Sequence, residues 1–413
     1  MHADVIVLGA GIVGVCTAIH LQDRGLKVVL VDRRGPGEET SFGNAGLIER
    51  SAVVPYGFPQ DLHTVLHYAR NHSSSLRYQP AALPAMTPWL LRYWRESRPN
   101  RLAKAAADML PLIERSVAEH DELIARAGVQ HLVRDAGWLE AYRTPSLFAE
   151  ESTKAVKLAA QHGLKMQILT AEQLRALEPA VGEGFVGAFH WLDPKTVSDP
   201  GALVAGYAAL FVREGGRLVK GDALTLIREG LSWKVQCAEG VISAPRAVVA
   251  LGPWSTELTE KYGYHVPLLG KRGYHMHYRM GTTPLVIPVV DLEEGYVLTP
   301  MRGGLRLTTG VELAAKNAAP NPAQLDQSEH KAREVFDFGP RTDMQPWMGR
   351  RPCTPDMRPL MGPAPRHEGL WFAFGHNHHG LTLGPVCGRL VAQMMMGETP
   401  LADPLPYSPA RFA

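Results

Sequence analysis

The stretch Val5-Ile-Val-Leu-Gly-Ala-Gly-Ile-Val-Gly14, continued through Gln22 to the run Val28-Val-Leu-Val-Asp32, decides the reading of this chain. A short apolar run, glycines at G-x-G-x-x-G spacing, an apolar-periodic segment from Ile12 to Arg24 and a second apolar run spell strand, turn, helix, strand. Gly9 permits the tight turn, Gly11 lets a pyrophosphate approach the backbone at a helix N-terminus, and Gly14 allows close packing. Ile12 and Val13 open that helix beside the phosphates. Asp32 ends the second strand 18 residues beyond Gly14, where a carboxylate can accept ribose hydroxyls. A generic tight turn would explain the glycines but not the acid, so the unit predicts dinucleotide binding. Arg33 follows the acid and is placed at the same site, although Arg33 and Arg34 together also suit a solvated strand end. The motif does not choose between NAD and FAD.

Outward from this unit, 413 residues with 45% hydrophobic content suit two or three structural units around large cores. The 43 basic and 41 acidic residues are spread along the chain, for a net charge of +2, which argues against a nucleic-acid partner and for a small molecule. Four distant cysteines without a C-x-x-C pair indicate neither a disulfide framework nor a metal site. The first strand starts too early for a signal peptide, and no apolar run is long enough to span a bilayer. The expected location is cytoplasmic. Peripheral contact with the inner face of a membrane stays open through Tyr78 to Trp94, where Trp89, Tyr93 and Trp94 stand beside arginines; a lid or core helix is the alternative there.

Farther along, Gly35 to Gly57 reads as a loop folded against a ligand, and Leu102 to Ala127 and Leu147 to His162 as helices. Gln130 to Tyr142 and Gly187 to Leu192 read as strands of a second sheet. A helix from Pro200 to Glu214, capped by Asp199, precedes a strand meander over residues 217 to 250. Residues 266 to 313 alternate as strands do, Ala323 to Phe338 suits a helix, and the last unit holds a strand Leu370 to Phe374, a Gly/His loop and a helix from about Leu383 to Met396. The expected fold is α+β / α/β: a Rossmann-like nucleotide-binding domain built from 1–60, 198–262 and 340–413, with a mostly antiparallel substrate domain from 61–197 and 263–339.

Several segments taken together resemble the amine-oxidising flavoproteins that include D-amino-acid dehydrogenase, glycine oxidase and sarcosine oxidase. They are the glycine turn, Ser41-Phe-Gly-Asn-Ala-Gly-Leu-Ile48, Val248-Val-Ala-Leu-Gly-Pro-Trp-Ser255, Gly349-Arg-Arg-Pro-Cys-Thr-Pro-Asp356, and Gly375-His-Asn-His-His-Gly-Leu-Thr382. The resemblance spans nearly the whole chain and is greatest to the bacterial D-amino-acid dehydrogenases. It implies FAD, with Ser41, Asn44, Ala45, Gly46 and Leu47 beside the flavin and Gly252 and Trp254 also binding the cofactor. Gly375, His378, His379, Gly380, Leu381 and Thr382 would lie at the flavin's pyrimidine end, where helix-terminal amides favour negative charge. Gly349 stands where the sarcosine-oxidising relatives carry the cysteine that bonds their flavin, with Cys353 four residues later, so the FAD is expected to be non-covalent.

A free amino acid presents a carboxylate, best matched by a guanidinium. The resemblance points to Arg351 as that anchor. Arg272, Tyr274 and Tyr296 are further candidates: on alternating strand positions Arg272 and Tyr274 share one face, which suits either a pocket or solvent. Glu49, Arg50 and Tyr56 complete the set from the loop. The implied chemistry is oxidation of a small D-amino acid by hydride transfer from Cα to FAD, giving an imine and then a 2-oxo acid. The His-rich loop is similar to those of proline- or 4-hydroxyproline-type D-amino-acid dehydrogenases. Electrons would pass to a quinone or an electron-transfer protein. An oxygen-using glycine, sarcosine or D-amino-acid oxidase, and a non-catalytic FAD-binding protein, are the competing readings.

Overall fold

The computed structural model describes residues 2–412. Val5–Leu8 is fully buried and pairs in parallel with Val28–Asp32 on one side and Arg246–Val249 on the other, in the registers Val5↔Val28 and Val5↔Arg246. Arg217–Glu229 and Leu370–Phe374 extend this parallel centre outward. Antiparallel edge strands complete eight: Ser232–Cys237 and Gly240–Ala244 at one side, Leu360–Pro363 at the other. Such a centre must be covered on both faces, which is why its strands read as continuous apolar runs.

The helix Ile12–Gln22 is buried on almost every side because nearly all its residues are apolar. It packs on the closing helix Gly380–Met396, and two glycines of that helix set the approach. A methyl group at Gly388 would stand 2.6 Å from the Cys16 carbonyl carbon, and one at Gly384 2.4 Å from Ile12 Cγ1. Pro200–Arg213 and Pro99–Ala127 complete this helical layer.

The second sheet has ten strands and is mostly antiparallel. At its centre Leu269–Tyr278, Gly304–Thr308, Tyr296–Met301 and Val289–Asp291 lie side by side, followed by Trp138–Tyr142, Gly187–Trp191 and Met166–Thr170. The strand Trp347–Cys353 pairs antiparallel with Leu269–Tyr278, so the chain leaves the second sheet after Cys353 and not near residue 340 as the sequence reading had it. A small third sheet ties Leu47–Ile48 to Lys195–Val197 and Val133–Arg134.

Three helices start earlier than their apolar periodicity suggests, at Pro99, Pro145 and Gly380. The two prolines occupy first-turn positions, where a missing N–H costs nothing. The helix from Ala323 ends at Arg333 and not Phe338; Val335, Phe336 and Phe338 are buried from a non-helical segment whose Phe338 carbonyl accepts a hydrogen bond from Arg333. Residues 83–96 form a helix that turns Trp89 and Tyr93 inward. Among the described residues no helix is long and apolar enough to cross a membrane.

Candidate active site

Gly9 has φ +106°, and a Cβ there would lie 2.4 Å from the Ala250 carbonyl oxygen; a Cβ on Gly14 would lie 1.8 Å from the Gly9 carbonyl oxygen. Both positions exclude a side chain by contact with backbone. Gly11 differs, since its Cβ would meet only Ser41 Oγ at 3.6 Å. Its open side faces a cavity of about 1190 Å³ that is also lined by Gly9, Ile12 and Val13. Ser41 Oγ accepts the Ile12 N–H at 3.1 Å and so joins the following loop to the helix start. Asp32 is fixed at the cavity wall by N–H donors from Ala10 at 2.6 Å and Arg34 at 2.8 Å. Arg33 lies over the Trp254 ring and donates to Glu39, and both Trp254 and Gly252 line the cavity beside it.

Ser41, Asn44, Ala45 and Leu47 continue this wall. Gly46 does not reach it: with φ +77° it makes the turn, its N–H held by Asn44 Oδ1 at 2.7 Å and its Cα face against the Val197 carbonyl. The loop is clamped from the second sheet by Arg306, which donates to the carbonyls of Phe42 at 2.8 Å and Asn44 at 2.7 Å. Burial lowers this guanidinium to about 10. Sequence reading missed Arg306, whose only signal was a cation in the middle of an apolar strand.

At the other end, Gly375, His378, Gly380 and Leu381 line the cavity. Asn377 holds this loop to the strand carrying Arg351: its side-chain oxygen accepts the Thr354 N–H at 3.0 Å, and its own N–H donates to the Pro352 carbonyl at 3.0 Å. His379 and Thr382 sit behind the wall. Thr382 is 2% exposed, and its hydroxyl accepts the Glu49 N–H, which makes it a brace for the neighbouring loop. Burial keeps the histidines neutral, lowering His376 to about 3 and His379 to about 4.

The second sheet supplies the remaining wall. Lys271 and Gly273 face the cavity and pair with Arg351 and Gly349 across the strands. Arg351 donates to the carbonyls of Gly310 at 2.9 Å and Thr309 at 3.3 Å, and burial lowers its pKa. The Lys271 ammonium lies over the rings of Tyr93 at 4.0 Å and Trp89 at 5.3 Å. Sequence reading missed Lys271 by one position.

Arg272 and Tyr274 share a strand face, but only Tyr274 borders the cavity; Arg272 does not reach it. Arg272 is 1% exposed, pairs with Glu312 at 3.5 Å and donates to the carbonyls of Ala315 and Ala318. The Tyr274 hydroxyl donates to Glu312 at 2.6 Å, and the residue borders the cavity. Tyr296 is turned away, fully buried with its hydroxyl beside Arg143. Side chains alternate along a strand, and alternation by itself leaves open which of the two faces meets the cavity. From the loop, Glu49 and Tyr56 line the cavity, whereas Arg50 points to the His162 carbonyl and Glu114. Gly349 lies under Trp347, whose ring carbon would be 2.1 Å from an added Cβ, and Cys353 is 1% exposed.

The sequence profile described as "DAO: FAD dependent oxidoreductase" matches residues 4–394. This chain belongs to that family. The oxidoreductase is 32% identical over 422 residues to a D-amino-acid oxidase of Bradyrhizobium diazoefficiens, covering 99% of this chain and 98% of the relative. It is 28% identical to a D-amino acid dehydrogenase of Chromohalobacter salexigens, over 99% and 100% of the two chains. In fold it matches glycine oxidase from Geobacillus kaustophilus with a TM-score of 0.76 and 20% identity, over 100% and 99% of the chains. The open face of Gly11 and the fixed Asp32 carboxylate fit the phosphates and ribose of FAD. A cavity of 1190 Å³ exceeds the roughly 300–1,000 Å³ of an ordinary small-molecule site and leaves room for a substrate beside the cofactor.

Proposed function

We propose that this oxidoreductase oxidises the carbon–nitrogen bond of a small D-amino acid, of which D-proline and 4-hydroxy-D-proline are the leading examples. The observation that carries the reading is Arg351: a guanidinium on the cavity wall, steadied by two carbonyls and without a carboxylate partner among the described residues. A free carboxylate is the ligand that matches such a fork. FAD supplies the two-electron acceptor. The protein's part is to bind and orient: Arg351 fixes the carboxylate, Lys271 adds a second positive charge, and the helix Leu83–Glu96 screens the site with Trp89 and Tyr93. The imine formed would hydrolyse to a 2-oxo acid, or remain cyclic for proline.

The test is anaerobic bleaching of the bound flavin by D- and L-amino acids, including both prolines, 4-hydroxyprolines, glycine and sarcosine. Bleaching by a D-amino acid that Arg351→Ala weakens supports the reading; a well-bound flavin that nothing in the panel reduces rejects it. Reoxidation by a quinone analogue compared with dissolved oxygen separates a dehydrogenase, the form proposed here, from an oxidase.

A further inference from the structure

Two carboxylates on the cavity wall are treated very differently by the protein. Glu140, on the strand Trp138–Tyr142, has both oxygens occupied: Tyr142 donates at 2.6 Å and Trp191 at 2.9 Å. The Glu49 side chain is 20% exposed and lines the cavity, yet no group among the described residues donates a hydrogen bond to its carboxyl. Nε2 of His379 lies 3.9 Å from it, too long for a hydrogen bond; that nitrogen is itself buried without a partner, on a ring that burial keeps neutral. A cavity carboxylate without a donor is matched by a ligand that brings one.

We propose that Glu49 binds the substrate ammonium and accepts its proton. This rests on the amino-acid reading above and adds a catalytic residue to it. Arg351 and Glu49 line the same cavity, where a bound zwitterion presents a carboxylate to the one and an ammonium to the other. An N–H bond of the ammonium breaks and its proton passes to the Glu49 carboxylate, leaving the lone pair on nitrogen. The Cα–H bond then breaks with its electron pair going to FAD, the oxidant, as the C=N bond forms. Glu49 returns its proton to water after product leaves.

The groups facing Glu49 set its readiness. Glu140 faces it from the second sheet, Tyr56 from its own loop and neutral His379 from the loop before the last helix; Glu151 and Lys154 line the cavity beyond Glu140, and Arg50 points away. Burial first, then the Glu140 charge, raise the carboxyl to about 7. It is therefore a carboxylate, able to take a proton, above that pH and spent below it.

The experiment is anaerobic stopped-flow bleaching of the holoenzyme by D-proline, or by whichever D-amino acid reduces it, from about pH 5 to about pH 10. For the native protein, the reduction rate constant divided by Kd rises through about pH 7 and levels. Glu49→Gln removes that step, follows the amine's own ionisation, and loses about 100- to 10,000-fold at neutral pH. Binding of benzoate, which has no amine, read from the flavin spectrum, stays within about twofold of the native protein. A Glu49→Gln profile identical to the native one overturns the proposal while leaving the Arg351 reading intact. If the Gln variant does not retain flavin, Glu49→Asp decides: a plateau about tenfold lower or more supports the proton path, and an unchanged plateau overturns it.

Discussion

Lys271 and Arg351 stand opposite each other across an antiparallel strand pair, both on the cavity face, and among the described residues neither has a carboxylate within ion-pairing distance. Two cations held without counter-charge in a partly buried site make a place for an anion. Their roles differ. The Arg351 fork can make two parallel hydrogen bonds, whereas Lys271 acts as a point charge over aromatic rings.

Arg351→Ala should therefore weaken substrate binding on the order of 100-fold or more, the equivalent of losing two charge-assisted hydrogen bonds. Lys271→Met should cost roughly tenfold through the lost electrostatic potential alone. Both variants should keep their flavin. Anaerobic titration of flavin absorbance gives each Kd; equal losses at the two positions would contradict this division of roles.

The three glycines of the first turn should respond differently to a single methyl group. Gly14→Ala drives a Cβ into the Gly9 carbonyl and should destabilise the fold by roughly 1–3 kcal/mol or more. Gly9→Ala adds strain at φ +106° to a clash with Ala250. Gly11→Ala makes only an ordinary contact within the protein, so its expected effect is weaker FAD binding with little change in apoprotein Tm. Thermal melts with and without added FAD separate the two behaviours.

Arg272 and Tyr296 should prove structural. Arg272→Met leaves Glu312 buried with only the Tyr274 hydroxyl for a partner, and breaking a buried pair of this kind costs about 3–5 kcal/mol. Tyr296→Phe should leave kcat/KM within about twofold, because its hydroxyl lies by Arg143 behind the sheet. A large kcat/KM loss in a stably folded Tyr296→Phe protein would mean that the far side of the sheet reaches the chemistry.

The flavin should come off intact. Gly349 is covered by Trp347 and the Cys353 thiol is buried, with burial raising its pKa, which leaves it a poor nucleophile. Acid precipitation should leave the yellow colour in the supernatant; colour in the pellet would show a covalent bond.

The nucleotide-binding unit was legible in the sequence because its determinants are local: Gly9, Gly11, Gly14 and Asp32 lie within one strand-turn-helix-strand unit, and each acts on backbone a few residues away. The loops at Ser41 and Gly375 were legible as ligand loops through small residues and recurring motifs. Within them, however, only contacts from distant segments separate wall residues such as Asn44 and His378 from braces such as Gly46 and Thr382. Strand alternation alone put Arg272 and Tyr274 on one face and Lys271 and Gly273 on the other. It could not say which face looks into the cavity, because a strand buried on both sides carries no polarity in its pattern. That choice came from tertiary structure, which pairs Leu269–Tyr278 with Trp347–Cys353 in a register that sets Lys271 against Arg351 and turns Arg272 to Glu312.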